Sequence, residues 1–276
     1  MGVRTVITGQ IAAILIIFSL GLPTSSDAVV FWDDSFEYAN QATMANAWDG
    51  ASCAGDNTIL APTTAKPRTG GKSLQEHFTG IAPNYEGGGS CFFGGRQFPR
   101  TQSMFTRFYM YLTDHAGTGD FLVGSPATKI TLQFGNGHPI SAWLVMFGAR
   151  TLSYAVQHRS GNAENYITGG SIPQESWVCV ESEMTMNSGY GVPDGILRVW
   201  INGAQVLNRT NVALLESVDI ERPGLNTVRL YTQNGFGRIY YDDHAVGNTR
   251  IGCGASPASP AGDLTPPAAP LGVTVR

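Results

Sequence analysis

Met104-Phe105-Thr106-Arg107-Phe108-Tyr109-Met110-Tyr111-Leu112 reads as one β-strand with two unlike faces. Met104, Thr106, Phe108, Met110 and Leu112 fall on one side, and Phe105, Arg107, Tyr109 and Tyr111 on the other. That two-residue alternation is the period of a strand with one face on a core. Outward from it the pattern repeats. Further strands are expected at Lys129 to Phe134, Ala142 to Phe147, Leu152 to His158, Trp177 to Met184, Leu197 to Ile201, Thr227 to Thr232 and Arg238 to Val246. Gly, Pro, Asn and Asp clusters separate them, and Asn202-Gly203 is a hairpin signal leading into Ala204 to Leu207. No helical apolar period persists for three turns, so the chain reads as an all-β, two-sheet antiparallel sandwich.

Composition agrees and narrows the partners. Charged residues make up 14% of the 276, against roughly 25% in ordinary soluble domains. Glycine and proline number 34 and 15, the mark of a turn-rich chain. With net charge -4 and no basic run, nucleic acid is not the expected partner, because phosphate binding needs clustered Lys and Arg. A sparsely charged surface suits hydroxyl-rich ligands.

The first 28 residues have the layout of a secretory signal: Arg4, an apolar run from Ile11 to Leu20, and Ser26-Asp27-Ala28 as a small-x-small cleavage site. The run is shorter than the ~18 residues a membrane span needs. Residues 29–254 are read as the folded domain, secreted or periplasmic, with no membrane span. Residues 255–276, rich in Ala and Pro, are read as a linker or the start of a following module. Four cysteines in an oxidising compartment point to two disulfides. Cys53 with Cys91 and Cys179 with Cys253 are the expected pairs, since each joins segments of one half of the chain.

Trp177-Val178-Cys179-Val180-Glu181, then Asn187, then Asp194-Gly195 and Val199-Trp200-Ile201-Asn202-Gly203 carry a resemblance. Phe31 to Glu37, Ile239 to Val246 and Arg250 to Cys253 extend it to both ends of the domain. Together they resemble bacterial polysaccharide-lyase-like proteins of the concanavalin A-like lectin/glucanase superfamily, of the heparin lyase I or LamG-like type. The resemblance implies a jelly roll whose concave sheet holds a glycan. It also implies a structural Ca²⁺ joining the first and last strands, for which Asp34, Asp243 and a carbonyl near Gly71 are the candidate ligands.

Activity must be argued from residues, because one fold hosts many chemistries. Glu181 and Glu183 share a strand face, yet the Glu-x-Asp-x-Glu run of the superfamily's glucanases is absent, which disfavours hydrolysis. β-Elimination on a uronic acid needs a group to neutralise the carboxylate and a proton-transfer pair. The types are present: Arg107, Tyr109 and Tyr111 share the non-core face of one strand, Lys129, Thr131 and Gln133 share a face of another, and Gln157-His158 ends a third. A strip of Arg107, Tyr109 and Tyr111 beside Gln133, Gln157 and His158 would also bind sugar without catalysis, by ring stacking and planar hydrogen bonds. The leading expectation is a secreted polysaccharide lyase, the alternative a lectin-like or adhesive module.

Overall fold

The computed structural model describes residues 29–48, 50–54, 57–78, 90–93, 96–113, 121–123, 128–134, 141–157, 163–189, 191–214, 225–233 and 235–254. The signal-like segment 1–28, the tail 255–276 and His158 lie outside them. In chain order the elements are β1 (Val30–Asp34), α1 (Gln41–Ala47), β2 (Ala51–Ala54), β3 (Asn57–Thr63), β4 (Ser73–Phe78), β5 (Ser90–Phe93) and β6 (Arg96–Thr101). There follow β7 (Ser103–Thr113), β8 (Leu122–Val123), β9 (Thr128–Phe134), β10 (Ser141–Phe147), β11 (Thr151–Gln157) and β12 (Ala163–Ser171). The last are β13 (Val178–Thr185), β14 (Gly195–Ile201), β15 (Ala204–Val212), β16 (Leu225–Gln233) and β17 (Gly235–Gly247).

The strands form a two-sheet antiparallel jelly roll. Sheet A runs β15-β14-β13-β7-β17-β4-β3, with β1 and β8 also on β17; sheet B runs β12-β11-β10-β9-β16-β5-β2, with β6 on β16. Met104 to Leu112 lies in β7, at the centre of sheet A between β13 and β17. Its Met104, Phe108, Met110 and Leu112 enter the core as the alternation requires, against Ile130, Leu144, Met146, Leu152, Tyr154, Val156 and Leu230 of sheet B. Asn202 and Gly203 hold φ of 49° and 82°, the left-handed pair that a tight hairpin demands.

Sequence reading missed the seven-residue α1, which is too short for periodicity to reveal. Asn40 caps it, accepting from the Thr43 amide at 2.9 Å, and its buried face is a single residue, Met44. Strict alternation also fails in β9. A register shift in the β9–β10 ladder pairs Lys129 with Val145 but Thr131 with Leu144 and Gln133 with Ala142. Leu144 is a core residue, and Ala142 pairs in turn with core residue Val156. Lys129 therefore occupies a different set of rows from Thr131 and Gln133, so the expectation that the three share a face is corrected. One bulge reverses the pattern beyond it.

Where β1 meets β17, His244 is buried among aromatic rings: Trp32 at 5.4 Å, Trp48 at 5.3 Å and Phe108, stacked, at 6.2 Å between centroids. Among the described residues neither ring nitrogen has a hydrogen-bond partner. Burial, then the nearby Arg107 charge, lowers its pKa from 6.5 to about 3, so the ring is held neutral. Asp34, its register partner, runs the other way. Burial outweighs donation by Tyr38, Phe36 and Trp48 and raises that carboxyl to about 6.

The signs follow from linkage. The histidine's contribution is complete above about pH 6.5, where unfolded imidazole is also neutral, and drains as pH falls towards its folded pKa of about 3. Asp34 favours the folded state as pH falls below about 6, partly masking this loss. The variant His244→Phe isolates the first effect. Its stability relative to wild type should rise by about 1 kcal/mol per pH unit on acidification below about pH 6. Urea unfolding at about pH 7.5 and about pH 4.5 checks this, and a pH-independent difference would refute it.

Candidate functional site

Both sheets present a face away from the core, and the two faces differ in kind. On sheet A, register aligns Arg107 with Glu181 and Ala245, and Tyr111 with Tyr240. The expected strip Arg107, Tyr109 and Tyr111 is thus present and points away from the core, yet it is only 2%, 6% and 8% exposed. The chain itself covers it. Residues following β3 lay the Arg68 guanidinium 3.3 Å above the Tyr109 ring centroid, and Lys66 Nζ donates to Tyr111 Oη at 3.1 Å. Tyr111 Oη donates to Glu175 Oε2 at 2.6 Å, and Tyr109 Oη to the Gly254 carbonyl at 2.9 Å. Burial lowers the pKa of Arg107 from its ordinary value.

The two glutamates share a face, as their spacing requires, and both are engaged. Glu181 is fully buried: Oε1 accepts from the amides of Ile251 at 2.6 Å and Gly252 at 3.0 Å, and Oε2 from Arg250 Nε at 3.2 Å. Arg250 in turn lies 4.6 Å over the Trp200 ring, and Cys179–Cys253 closes a disulfide beside it. Glu183 accepts from Arg198 Nη1 at 2.9 Å and Thr185 Oγ1 at 3.0 Å. The residues that carry the family resemblance therefore clamp the segment after β17 onto sheet A. Cys53 is also disulfide-bonded, no cysteine is free among the described residues, and in the β2–β5 ladder Cys53 stands opposite Cys91.

The acidic residues at the β1–β17 corner do not suit Ca²⁺, which takes six to eight oxygen ligands at about 2.3–2.6 Å. Asp34 accepts from the Phe36 amide at 2.6 Å, Tyr38 Oη at 2.7 Å and Trp48 Nε1 at 2.6 Å. Asp243 Oδ1 accepts from Thr69 Oγ1 at 2.7 Å, and its Oδ2 pairs with Arg68 Nη1. Gly71 contributes its amide, donated to Glu37 Oε1 at 2.8 Å. Among the described residues no group of three or more His, Cys, Asp or Glu could hold a metal.

Sheet B has the opposite charge. Its strands carry Arg96, Arg100, Lys129 and Arg229 against one acid, Glu164 on the edge strand β12. Sheet A carries Asp33, Asp34, Glu76, Glu181, Glu183, Asp242 and Asp243 against Arg107, Arg198, Arg209 and Arg238. Each sheet thus carries four basic strand residues, and it is the acids that are segregated, seven on sheet A and one on sheet B. Register runs one row through Arg229, Leu132, Trp143, Ala155 and Asn165, and another through Lys129, Val145, Ser153 and Ile167. Ala155 and Ser153 alternate with core residues Tyr154 and Val156, so they lie on the side away from the core, where Val145 and Ser153 are nonetheless buried. Gln157 lies in the row of Ser141, and Gln133 in that of Ala142. The expected set is thus divided: Arg107, Tyr109 and Tyr111 belong to sheet A, Gln133 and Gln157 to different rows of sheet B. Sequence reading singled out Lys129 but missed Arg229 and Trp143, which only strand order aligns.

Removing the Glu181 carboxylate leaves the Ile251 and Gly252 amides without their acceptor. Glu181→Ala should lower stability by about 2 kcal/mol and speed limited proteolysis near 250–254. Denaturant unfolding and mapped cleavage measure both, and unchanged stability would show the clamp to be dispensable.

By sequence, no family model and no curated protein matches this chain. By structure, it is similar to an endo-β-1,4-glucuronan lyase from the fungus Trichoderma reesei, with TM-score 0.59, 16% identity, and coverage of 80% of this chain and 96% of the lyase. It is also similar to an alginate lyase solved with an alginate trisaccharide, with TM-score 0.51, 13% identity, and coverage of 79% and 98%. At such identities the likeness is one of fold: the chain shares the jelly roll of these polysaccharide lyases over nearly their whole length.

Proposed function

We propose that the protein is exported and binds an anionic, uronic-acid-bearing polysaccharide across the outward face of sheet B, cleaving it by β-elimination. The observation that carries this reading is the segregation of charge. Lys129 and Arg229 stand on β9 and β16, adjacent strands inside sheet B, in a chain whose net charge is -4. The row that aligns Arg229 with Trp143 and Asn165, with Lys129 in another row, suits a carboxylated sugar, which needs a cation for its carboxylate and a flat ring or amide for its body. Sheet A offers no such platform, since its own chain closes over Tyr109 and Tyr111. Both similar structures are named for uronate-polysaccharide lyases, which agrees with the reading. The disulfide suits an oxidising compartment, and no described helix is long and apolar enough to cross a membrane. The heparin lyase I or LamG-like subtype rests on the sequence resemblance alone.

In β-elimination a base removes the proton from C5, the C4–O bond breaks, and a double bond forms between C4 and C5 while the leaving oxygen takes a proton. Arg229 and Lys129 are assigned to the carboxylate, whose neutralisation makes the C5 proton acidic enough to leave. Incubation with glucuronan, alginate and a neutral β-glucan, followed by ultraviolet absorbance, tests this. The uronates should yield absorbing unsaturated ends and the neutral glucan none. Arg229→Ala should slow the reaction about 100-fold. Affinity electrophoresis separates the alternative: retardation by uronates without product supports a lectin-like module, and retardation by the neutral glucan alone overturns the proposal.

A further inference from the structure

The β1–β17 corner carries an acidic pair that most proteins would neutralise from outside. Asp242 and Asp243 are adjacent, 0% and 4% exposed, at a register shift of β17 where Asp243 takes φ of 48°. Two adjacent buried carboxylates repel each other and lose their hydration, a combination that ordinarily calls for a metal ion or a paired cation. Burial raises the pKa of Asp242 to about 7.

We infer that the Arg68 guanidinium is the resident cation of this corner and that the fold does not depend on a divalent metal. All four carboxylate oxygens are met by hydrogens from the chain. Asp242 Oδ1 accepts from the Asp243 amide at 2.8 Å, and its Oδ2 from the amides of Arg68 at 2.9 Å and Thr69 at 3.2 Å. Asp243 Oδ1 accepts from Thr69 Oγ1 at 2.7 Å, and Oδ2 is paired with Arg68 Nη1. Donated hydrogens point inward where a metal would need lone pairs.

The guanidinium is held as firmly as the pair it serves. Its Cζ lies 3.3 Å over the Tyr109 ring centroid, and its side chain is 18% exposed. The segment that delivers it is fixed on the far side by Glu37, whose Oε1 accepts from the amides of Gly71 at 2.8 Å and Lys72 at 3.0 Å. Lys72 Nζ then donates to the Tyr38 carbonyl at 2.6 Å. Gly70 sits in that turn with φ of 59°, which favours glycine, and a Cβ there would push the Glu37 carboxylate from its place on the Gly71 and Lys72 amides. A guanidinium can be so installed because it never deprotonates and presents a planar fork to carboxylate oxygen. Reach, charge and plane all converge on one point, and a bound ion there would have to displace them.

Thermal unfolding of the full chain, passed through EDTA and assayed for residual metal, tests this independently of any activity. Wild-type protein should melt at the same temperature with EDTA or with millimolar calcium. Arg68→Ala should melt about 5 °C lower in both, and Arg68→Lys, which keeps charge but not the stacked plane, should fall between. A wild-type melting temperature that drops on chelation, or an Arg68→Ala protein as stable as wild type, overturns the inference. If Arg68→Ala does not fold, the Arg68→Lys shift and the wild-type chelation result still decide it.

Discussion

A carboxylate taken out of water must be met by hydrogen-bond donors or it unfolds what surrounds it. Sheet A places several on its outward side, and their demands determine where the rest of the chain lies. Glu181, fully buried, draws in the amides of Ile251 and Gly252. Asp242 draws in those of Arg68 and Thr69, while Glu37, exposed and outside the sheet, holds those of Gly71 and Lys72. Two irregular segments, otherwise without regular hydrogen bonding, are thereby laid across β7, β13 and β17. Their side chains complete the cover, with Arg68 on Tyr109 and Arg250 on Trp200. A layer that is polar by sequence becomes buried in the structure because its acids recruit backbone.

The two layers consequently divide the work. Sheet A holds the fold together: it carries the Cys179–Cys253 disulfide, the glutamate clamp and the Arg68 corner. Sheet B inherits the surplus of positive charge on its strands and is the layer proposed to meet the ligand. Separating the charges in this way serves both needs. Acids on sheet A are met locally by hydrogen bonds, as at Glu181, Asp242 and Asp243, whereas the strands of sheet B carry four cations and one acid.

The same division explains why the resemblance in the sequence speaks to architecture and not to chemistry. Within the run that carries the resemblance, Cys179 bonds to Cys253, Glu181 accepts from the Ile251 amide, and Asn202 Oδ1 accepts from the Cys179 amide at 3.0 Å. Arg229 and Trp143 carry no local signature. They are far apart in the chain and become neighbours in one row only through Leu132 on the strand between them.

Alternation of apolar and polar residues determined by itself that the chain folds as stacked antiparallel strands, that Met104, Phe108, Met110 and Leu112 face the core, and that Asn202-Gly203 turns a hairpin. Those properties are local, governed by the strand period and by which residues tolerate positive φ. Tertiary structure alone decided that Arg107, Tyr109 and Tyr111 are covered instead of offered, that a bulge splits Lys129 from Thr131 and Gln133, and that Arg68 reaches Asp243 across 175 positions of chain. The reason is physical. Period tells a residue which side of its own strand it occupies, but not which strand becomes its neighbour or what folds over it.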